Sequence, residues 1–434
     1  LAQTSTRARS PHPWRQRTDF NQAHFGMEKG RKTRFAQNPD YVCSRNSSIG
    51  IILKIYYPQA KAAISILTDT LYREGPTDAL LFHFFKQNKG MGKRDRNLVS
   101  DLVFGMLRCW EGLVKTTGEE TPGLAHLNAY VQTLGHEPLA FRDDSFEKVA
   151  PLQSLFTVND ELTKRGKDQF GDNWDSLLET FAERSEVFLK FRNAAELELF
   201  QEVLEELDIK GEVLPSGKGM KLNPDDGGKV RSLIKEQKFP IEVQDYSCQQ
   251  VIDFLPNIEG KKVWDVCAGN GGKTLDLASH VGGGQLIASD ISESKLIELQ
   301  RRVTAWTYQG IQTRLLSKNI SQTAIDASFD LVYLDVPCSG SGTWRRSPWL
   351  KMWEAEVMED VMETQQELLQ HFAKSVKQGG KLAYSTCSIW KEENQEQIQT
   401  FLKENPLFQL EEEHQLLPEK GKGDGFYFCL LSKT

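Results

Sequence analysis

The stretch KVWDVCAGNGGKT, from Lys262 to Thr274, decides the fold class of this chain. An apolar run of strand length leads directly into a glycine-rich turn, and a helical segment begins at Leu275. Glycine permits a tight turn and allows the backbone to approach a ligand at the helix N-terminus. This order of strand, turn and helix is typical of an α/β sheet that binds a cofactor.

The glycine-rich turn does not identify its ligand by itself. A phosphate-binding P-loop ending at Gly272-Lys273-Thr274 needs glycine at position 267, where the chain has Cys267. The G-x-G-x-x-G spacing of a dinucleotide site is not met from Gly269 onward. Both kinds of polyphosphate site are therefore disfavoured.

An acidic residue at the end of the next predicted strand narrows the choice. Asp290 lies about 20 residues beyond the turn, where a carboxylate can accept hydrogen bonds from both hydroxyls of a ribose. Capping of the following helix before Glu293 is the alternative role. The turn and the acid together predict a nucleoside-containing cofactor without a polyphosphate, and S-adenosylmethionine is such a molecule.

Strands and helices continue to alternate downstream of the turn. Short apolar runs predict strands at Lys262 to Val266, Gln285 to Ser289, Thr313 to Leu316, Phe329 to Leu334 and Lys381 to Ser385. Helical periodicity lies between them, as at Ser292 to Tyr308 and Thr364 to Val376. Parallel strands joined by helical crossovers form a doubly wound, Rossmann-like α/β sheet. Because ligands lie beyond the carboxyl ends of such strands, the residues after each strand are the candidate site.

Two other patterns precede this sheet. Apolar residues recur at three- and four-residue intervals from about Ala60 to about Val114, which predicts packed amphipathic helices. A helical stretch broken by Pro138 and Pro151 continues to about Leu162. Farther on, a small α/β unit is predicted from a strand, a helix and a strand start, at Val187 to Phe191, Ala195 to Leu207 and Val213 to Pro215.

These patterns divide the chain into four predicted segments: an extension at 1–56, a helical domain at 57–165, a small α/β domain at 166–240 and a larger α/β domain at 241–434. Residues 1–50 hold nine Lys and Arg against three acidic residues and show little periodicity. Their composition predicts an extension that is disordered or outside the native protein. An RNA-binding arm is the alternative.

Composition excludes several classes of protein. No apolar run approaches the roughly 18 residues of a membrane helix, and no export signal is recognisable, so we expect a cytoplasmic protein without a membrane partner. The seven cysteines have no CxxC spacing, which argues against a disulfide framework and a structural metal. A net charge of -7 means that any RNA contact must be a local basic patch. We expect a monomer.

Two cysteines follow neighbouring predicted strands. The fourth strand ends in Asp335-Val336-Pro337-Cys338, and the fifth ends in Thr386-Cys387-Ser388. The single helix between these strands favours their pairing, which brings their ends to roughly 5 Å from each other. Two thiols and a carboxylate then converge on one pocket.

This set of groups suits methylation of cytosine at carbon-5. Carbon-5 is a poor nucleophile, so a thiolate must first add to carbon-6. Lys273 is the candidate that favours the thiolate at neutral pH. Asp335 can bond the cytosine amino group and ring nitrogen 3, which stabilises the charge that develops on attack. Carbon-5 must then lose its proton before the thiol leaves, and a second group near the adduct assists.

At these residues the chain resembles the RNA cytosine-5 methyltransferases related to the bacterial RsmB (Fmu) enzyme. The resemblance is carried by DVCAGNGGKT, DVPCSGSGTWRRSP, YSTCS followed by KEEN, and GDGFYF. It covers about Glu242 to the C-terminus, and the helices around Arg94 to Arg108 more weakly resemble a NusB-like domain. It implies a methyltransferase domain at 241–434, an RNA-binding domain at 57–165 and S-adenosylmethionine as the cofactor. It also implies RNA as the partner, with small-subunit ribosomal RNA favoured over transfer RNA.

The resemblance also implies a role for individual residues. Cys387 of the TCS motif is the expected nucleophile, and Cys338 of the PCS motif is expected to help release the product, with Asp335 and Lys273 completing the catalytic set. The expected cofactor-binding residues are Cys267, Ala268, Gly269, Asn270, Gly271, Gly272, Lys273, Asp290, Asn319 and Asp335.

The chain departs from the family pattern in two places. The commoner cofactor loop has Ala-Pro where this chain has Gly269-Asn270, a change that keeps the turn. The family's acid after the third strand, which meets the adenine, has no clear match in Ser317-Lys318-Asn319. Asn319 is the candidate to replace it through its side-chain amide.

Other functions remain as alternatives. An amino-group methyltransferase calls for Asp-Pro-Pro-aromatic where this chain has Asp335-Val336-Pro337-Cys338. A non-catalytic RNA-binding assembly factor has no need of both cysteines. In the DNA cytosine methyltransferases, which the Pro-Cys loop also resembles, the nucleophile's role falls on the cysteine of that loop.

A group of basic and aromatic residues follows the Cys338 loop. Arg345 and Arg346 are flanked by Trp344 and Trp349. This pattern predicts an RNA contact in which an arginine binds a phosphate and an aromatic ring stacks on a base that has left the RNA stack. Surface arginines beside packed tryptophans are the alternative.

Overall fold

The computed structural model describes residues 44–45, 52–72, 75–141, 144–146, 148–235 and 241–434. Residues 1–43, most of the predicted extension, lie outside the described residues. The first described residues form a short antiparallel pair of strands, β1 (Ser44–Arg45) and β2 (Ile52–Leu53).

A helical region comes next. It consists of α1 (Tyr57–Leu71), α2 (Thr77–Gln87), α3 (Lys93–Arg108), α4 (Trp110–Thr117), α5 (Leu124–Thr133) and the short strand pair β3 (Ala140–Phe141) and β4 (Asp144–Ser145). In α3, Val99, Leu102 and Met106 are buried, so they form the apolar stripe that packs on the neighbouring helices. At its start, Oδ2 of Asp95 accepts a hydrogen bond of 2.9 Å from the backbone N–H of Gly92.

Two further helices, α6 (Asp160–Phe170) and α7 (Asn173–Ala182), pack against the C-terminal part of the chain. Trp174 and Phe181 on α7 belong to one buried cluster with Trp344 and Trp390. The predicted boundary between residues 165 and 166 falls within α6. Because α6 continues across this boundary, the structure does not separate the two predicted segments there, and the division into domains stays a prediction.

The small α/β unit contains a sheet of antiparallel strands. Its elements are β5 (Val187–Phe191), α8 (Ala194–Glu206), β6 (Gly211–Val213), β7 (Gly219–Leu222), α9 (Gly227–Lys235) and β8 (Ile241–Val243). The strand order is β6-β7-β5-β8. Phe200 and Val230 on the helices pack against Leu189 and Met220 on the strands. The strand expected to start at Val213 instead ends there.

The large sheet forms the rest of the chain. Its elements are α10 (Tyr246–Gln249), α11 (Val251–Phe254), β9 (Lys262–Asp265), α12 (Gly272–Ala278), β10 (Gln285–Asp290), α13 (Glu293–Ala305), β11 (Ile311–Leu315), β12 (Phe329–Asp335), α14 (Leu350–Phe372), β13 (Val376–Thr386), α15 (Gln395–Glu404), β14 (Phe408–Leu416) and β15 (Phe426–Lys433). The strand order is β11-β10-β9-β12-β13-β15-β14. The first five strands in that order are parallel, and β15 runs antiparallel to both of its neighbours. The predicted doubly wound α/β fold is confirmed.

This topology determines where the candidate residues lie. The chain reverses its winding direction between β9 and β12, which is where a doubly wound sheet binds its ligand. Asp335 at the end of β12 lies opposite Ser385 on β13, and Tyr333 lies opposite Asp265 on β9. The loops after β9, β12 and β13 therefore meet at one edge of the sheet.

Three details differ from the sequence-based expectation. The helix predicted at Thr364 to Val376 begins at Leu350 and ends at Phe372, and the strand expected from Lys381 already begins at Val376. The antiparallel strands β14 and β15 were not predicted. Among the described residues, no helix combines the length and apolar character that crossing a membrane requires.

Candidate active site

The turn after β9 has the backbone geometry that its glycines allow. Gly271 has φ +92° and precedes α12, and a Cβ atom at this position would lie 2.8 Å from Cγ of Leu299. Oδ2 of Asp265, at the end of β9, accepts a hydrogen bond of 2.6 Å from Oγ1 of Thr274 on α12. This bond ties the start of the helix to the strand.

The predicted cofactor loop lies next to Asp290. Oδ2 of Asp290 accepts a hydrogen bond of 3.0 Å from the backbone N–H of Gly269, and Oδ1 accepts one of 2.8 Å from the N–H of Ser292. The second bond fixes the turn between β10 and α13; the N-cap residue of α13 is Ser292, so Asp290 does not cap that helix. A Cβ atom built on Gly269 meets nothing within 4 Å, so the loop borders open space beside this carboxylate.

Other residues of the loop are held through their backbone. The N–H of Ala268 donates to the carbonyl of Ser289 at 2.8 Å, and the carbonyl of Asn270 accepts from Nη1 of Arg302 at 2.5 Å. Burial raises the pKa of the Cys267 thiol well above its usual range, so this cysteine stays protonated. Gly272 is the first residue of α12. The predicted cofactor-binding residues 267–273 therefore form one continuous segment, with 267–271 in the turn and 272–273 at the start of α12.

One buried carboxylate oxygen at this edge has no partner. Among the described residues, nothing forms a hydrogen bond with Oδ1 of Asp265. Burial raises the pKa of Asp265 to about 7, against the opposing hydrogen bond from Thr274. An orphaned acceptor, an acid at the end of β10 and an open loop between them fit a polar, nucleoside-containing cofactor.

Asn319 lies farther along the same edge. It is exposed and precedes a 3-10 helix at Ile320–Gln322, where its Oδ1 accepts hydrogen bonds from the backbone N–H and the hydroxyl of Ser321. Leu316, just after β11, donates its N–H to the carbonyl of Asp290 at 3.0 Å, which brings this segment beside the end of β10. The proposed adenine contact of Asn319 stays a prediction.

Cys338 and Cys387 are in contact. Their Sγ atoms lie 3.2 Å apart, at the ends of the adjacent strands β12 and β13. The carbonyl of Cys387 accepts a hydrogen bond of 2.9 Å from the N–H of Gly342, which follows Cys338 in its loop. A Cβ atom on Gly342 would lie 2.4 Å from the carbonyl oxygen of Gly425, so only glycine fits where the Cys338 loop meets the segment before β15.

The two thiols differ in their ability to lose a proton. The hydrogen bond between them lowers the pKa of Cys387; burial and Asp335 oppose this, and the positive charges of Lys273 and Arg346 favour it. The same bond, burial and nearby negative groups raise the pKa of Cys338 well above its usual range. The contact between the sulfurs therefore favours ionisation of Cys387 over ionisation of Cys338.

Lys273 and Asp335 form an ion pair beside the sulfurs. The distance between Nζ of Lys273 and Oδ2 of Asp335 is 2.8 Å, and Oδ1 of Asp335 accepts a hydrogen bond of 2.8 Å from Oγ of Ser385. Burial opposes the charge on Lys273, but Asp335, together with smaller effects of Cys248 and Tyr333, raises the pKa of this lysine well above its usual range. Lys273 therefore stays protonated, and its main partner is Asp335 rather than the thiolate.

The predicted RNA contact at Arg345 is wrong. Its guanidinium is fully buried and donates to the carbonyls of Glu419, Lys422 and Gly423 and to Oδ1 of Asp424. Trp344 and Trp349 are buried in separate apolar clusters, as the alternative reading of the tryptophans held. Arg346 has 48% of its side chain exposed and places Nε 2.8 Å from Oδ2 of Asp424.

The KEEN motif contains a buried acid that the sequence-based predictions did not include. Glu393 is fully buried and accepts hydrogen bonds from both cysteine loops, through Ser339 and Ser388. The available signal was the position of Glu393 within the recognised KEEN motif. The hydrophobic periodicity of this stretch did not show that the side chain points inwards. Among the described residues, no group of His, Cys, Asp and Glu is arranged to hold a metal ion.

Comparisons with known proteins identify a family that part of the chain matches. Residues 253–432 match the family described as 16S rRNA methyltransferase RsmB/F. Ribosomal RNA small subunit methyltransferase B of Proteus mirabilis is 33% identical over 196 residues, which cover 44% of this chain and 46% of that protein. The protein of the same name from Yersinia pestis is 29% identical over 289 residues, with coverages of 63% and 65%. The chain thus spans less than two thirds of the length of these curated relatives.

A solved structure shares the fold. The crystal structure of PH0851 superposes with a TM-score of 0.70 at 22% identity and covers 86% of this chain and 99% of that chain. The matches confirm the predicted family resemblance, the methyltransferase fold and S-adenosylmethionine as the cofactor. The roles of individual residues stay predictions.

Proposed function

We propose that the RsmB/F-type methyltransferase at residues 253–432 methylates carbon-5 of a cytosine in RNA, through a covalent adduct with Cys387. The observation that carries the proposal is the 3.2 Å contact between the sulfurs of Cys338 and Cys387, beside the ion pair of Lys273 and Asp335. These four groups are the expected catalytic set, and all of them lie at the carboxyl edge of the sheet.

Cys387 is the nucleophile in this proposal. Its pKa is lowered chiefly by the hydrogen bond from Cys338, so its thiolate is available to add to carbon-6 of the ring. A new bond between Sγ and carbon-6 pushes the electron pair of the double bond into the ring, which makes carbon-5 nucleophilic. Cys338 keeps its proton at this stage because its own pKa is raised.

Lys273 and Asp335 stabilise the charge that develops in the ring. The carboxylate of Asp335 accepts a hydrogen bond from the cytosine amino group, and the ammonium of Lys273 supplies positive charge near ring nitrogen 3. Ser385 fixes the carboxylate through its hydroxyl. A preorganised pair of this kind requires little rearrangement when the thiolate attacks.

S-adenosylmethionine supplies an electrophilic methyl group when it is bound at the loop of residues 267–273 with Asp290. For release, Cys338 first gives its own proton to water, because the Cys387 thiolate that raised its pKa is now bonded to carbon-6. The Cys338 thiolate takes the proton of carbon-5, the electron pair of that carbon–hydrogen bond restores the ring double bond, and the bond from carbon-6 to sulfur breaks, so that Cys387 leaves as a thiolate. We assign assistance at this step to Cys338, because its sulfur touches that of Cys387.

Two variants test this function. Cys387→Ala should lose both methyl transfer and covalent attachment to RNA, whereas Cys338→Ala should form the adduct and fail to resolve it. With ribosomal and transfer RNA as substrates, a denaturing gel detects an RNA-linked Cys338→Ala protein, and bisulfite sequencing locates the methylated cytosine. Cys109→Ala is the matched control, because that cysteine is buried in the helical region, away from the pair and from the cofactor loop.

Each other outcome has a definite meaning. Trapping by Cys387→Ala instead of Cys338→Ala assigns the nucleophile to Cys338. Loss of activity in both without a trapped species excludes covalent catalysis. A wild-type chain that binds RNA without methylating it is an RNA-binding assembly factor. Modification of transfer RNA alone contradicts the preference for small-subunit ribosomal RNA, which rests on the matched relatives.

A further inference from the structure

Glu393 lies beneath the two cysteines and is fully buried. Its Oε2 accepts hydrogen bonds from the backbone N–H of Ser339 at 2.8 Å and from Nε2 of Gln365 at 3.0 Å. Its Oε1 lies 2.5 Å from the hydroxyl oxygens of both Ser339 and Ser388. An ionised carboxylate can accept all four bonds at once. Burial raises the pKa of Glu393, and these hydrogen bonds oppose the rise.

These contacts join the two catalytic loops. Ser339 is the residue after Cys338, and Ser388 is the residue after Cys387. The hydroxyl of Ser388 also lies 2.9 Å from that of Ser341, which accepts a hydrogen bond of 3.0 Å from the N–H of Ile389. One carboxylate therefore links the backbone positions that set the distance between the two sulfurs.

The charge of Glu393 acts unequally on the two thiols. Its negative field raises the pKa of Cys338, together with the larger effects of the Cys387 hydrogen bond and burial. Cys387 is flanked instead by Asp335 and by the positive charges of Lys273 and Arg346. The negative charge near Cys338 and the positive charges near Cys387 both favour the arrangement in which the shared proton is on Cys338.

We propose that Glu393 is a positioning residue, which holds the two cysteine loops in contact and keeps the proton on Cys338, so that Cys387 is the nucleophile. Its importance for methyl transfer rests on the proposed function. Its effect on the two thiols does not depend on the proposed function, because the hydrogen bonds of Glu393 involve neither RNA nor cofactor. The acid is buried and cannot reach the substrate directly, so it acts through Ser339 and Ser388.

Alkylation of the protein alone provides the test. Wild type and Glu393→Gln are treated briefly with iodoacetamide at neutral pH, and peptide mass spectrometry gives the labelling rates of Cys338 and Cys387. The amide keeps the size of the side chain but removes its charge and half of its accepting capacity. We expect the preference for Cys387 over Cys338 to fall by about tenfold, because Cys338 loses the field that disfavours its thiolate.

Glu396→Gln is the matched control, since Glu396 is exposed on α15 three positions later. It should label like wild type. If the proposed function holds, Glu393→Gln should also lower kcat while the KM for RNA changes little, whereas Glu396→Gln changes neither.

The results separate the two proposals. An unchanged labelling preference in a folded Glu393→Gln protein overturns the positioning role, whether or not the chain methylates RNA. If the labelling preference changes but the wild-type chain does not methylate RNA, the positioning role of Glu393 is supported and the proposed function is contradicted. If Glu393→Gln does not fold, Ser388→Ala removes one bond to the carboxylate, and unchanged labelling in that variant overturns the proposal.

Discussion

Nζ of Lys273 lies 2.8 Å from Oδ2 of Asp335, and this ion pair links the helix after the cofactor loop to the strand before Cys338. The sequence predicted that Lys273 would activate a thiol, but its strongest partner is a carboxylate. The lysine thus joins the cofactor loop to the base-binding acid. Its contribution to the low pKa of Cys387 is smaller than that of Cys338.

A double-mutant cycle tests this pairing. We expect Lys273→Met and Asp335→Asn each to lower kcat by on the order of 100-fold, because each removes a group that stabilises developing charge. Since the residues act as one unit, the double variant should lose little more than either single variant. Lys262→Met with Asp326→Asn is the control pair, because it removes an exposed ion pair of 2.8 Å at the other end of β9. Additive losses in the catalytic pair contradict a shared role.

Asp290 should be needed for cofactor affinity. Asp290→Ala removes the predicted ribose acceptor and the bond to the N–H of Gly269, so we expect the Kd for S-adenosylmethionine to rise at least about tenfold. Isothermal titration calorimetry measures this change. Glu293→Ala, at an exposed position at the start of the next helix, should bind like wild type. Unchanged affinity of Asp290→Ala places the ribose elsewhere.

The cofactor edge was predictable because its signals are local. A strand, a glycine turn and a helix follow one another within residues 262–278, and Asp290 ends the next strand. The adjacency of Cys338 and Cys387 followed from one crossover rule. Contacts between residues far apart in the chain leave no local sequence pattern from which they could be predicted. The partners of Arg345 lie 74 to 79 residues away along the chain, so nothing near it indicated burial.

The missed elements have physical causes too. The strand β14 contains Glu411, Glu412 and Glu413, and only its first residue, Phe408, is buried. As an edge strand with one neighbour, it lacks the apolar alternation of a central strand. The first half of α14 was missed although Trp353 and Val357 lie at helical spacing. Both pack into the core of the helical region, so their apolar face turns away from the sheet.

Adjacent arginines should behave differently. Arg345→Met removes one of the two guanidinium partners of the buried Asp424 and the donor to the carbonyls of Glu419, Lys422 and Gly423, so we expect a loss of roughly 3 to 5 kcal/mol of stability and a clearly lower Tm. Arg346→Met also removes a partner of Asp424, but Arg346 is half exposed and Asp424 keeps Arg345, so Tm should fall less than in Arg345→Met while RNA affinity falls. Thermal melting and filter binding at fixed salt measure the two effects. Equal Tm losses, or unchanged RNA affinity of Arg346→Met, contradict this assignment.

Lys351, in the first turn of α14, is buried against the helical region. Nζ of Lys351 donates to the carbonyls of Arg108, at 2.8 Å, and Thr157, and it lies 4.7 Å from the ring centroid of Phe156. Burial lowers the pKa of Lys351 to about 7, and Glu111 only partly offsets this. In the unfolded chain the same amine keeps its proton up to about pH 10.4.

Between these two pKa values the unfolded state binds more protons, so stability should rise with pH from about 7 towards 10. The contribution of Lys351 over that window is on the order of 4 kcal/mol. Tm measured at several pH values for wild type and Lys351→Met should therefore diverge, with a shallower slope for the variant because Met does not titrate. Lys374→Met, at an exposed position just after α14, should run parallel to wild type. Parallel curves for Lys351→Met as well mean that Lys351 stays charged in the folded protein, held by the two carbonyls.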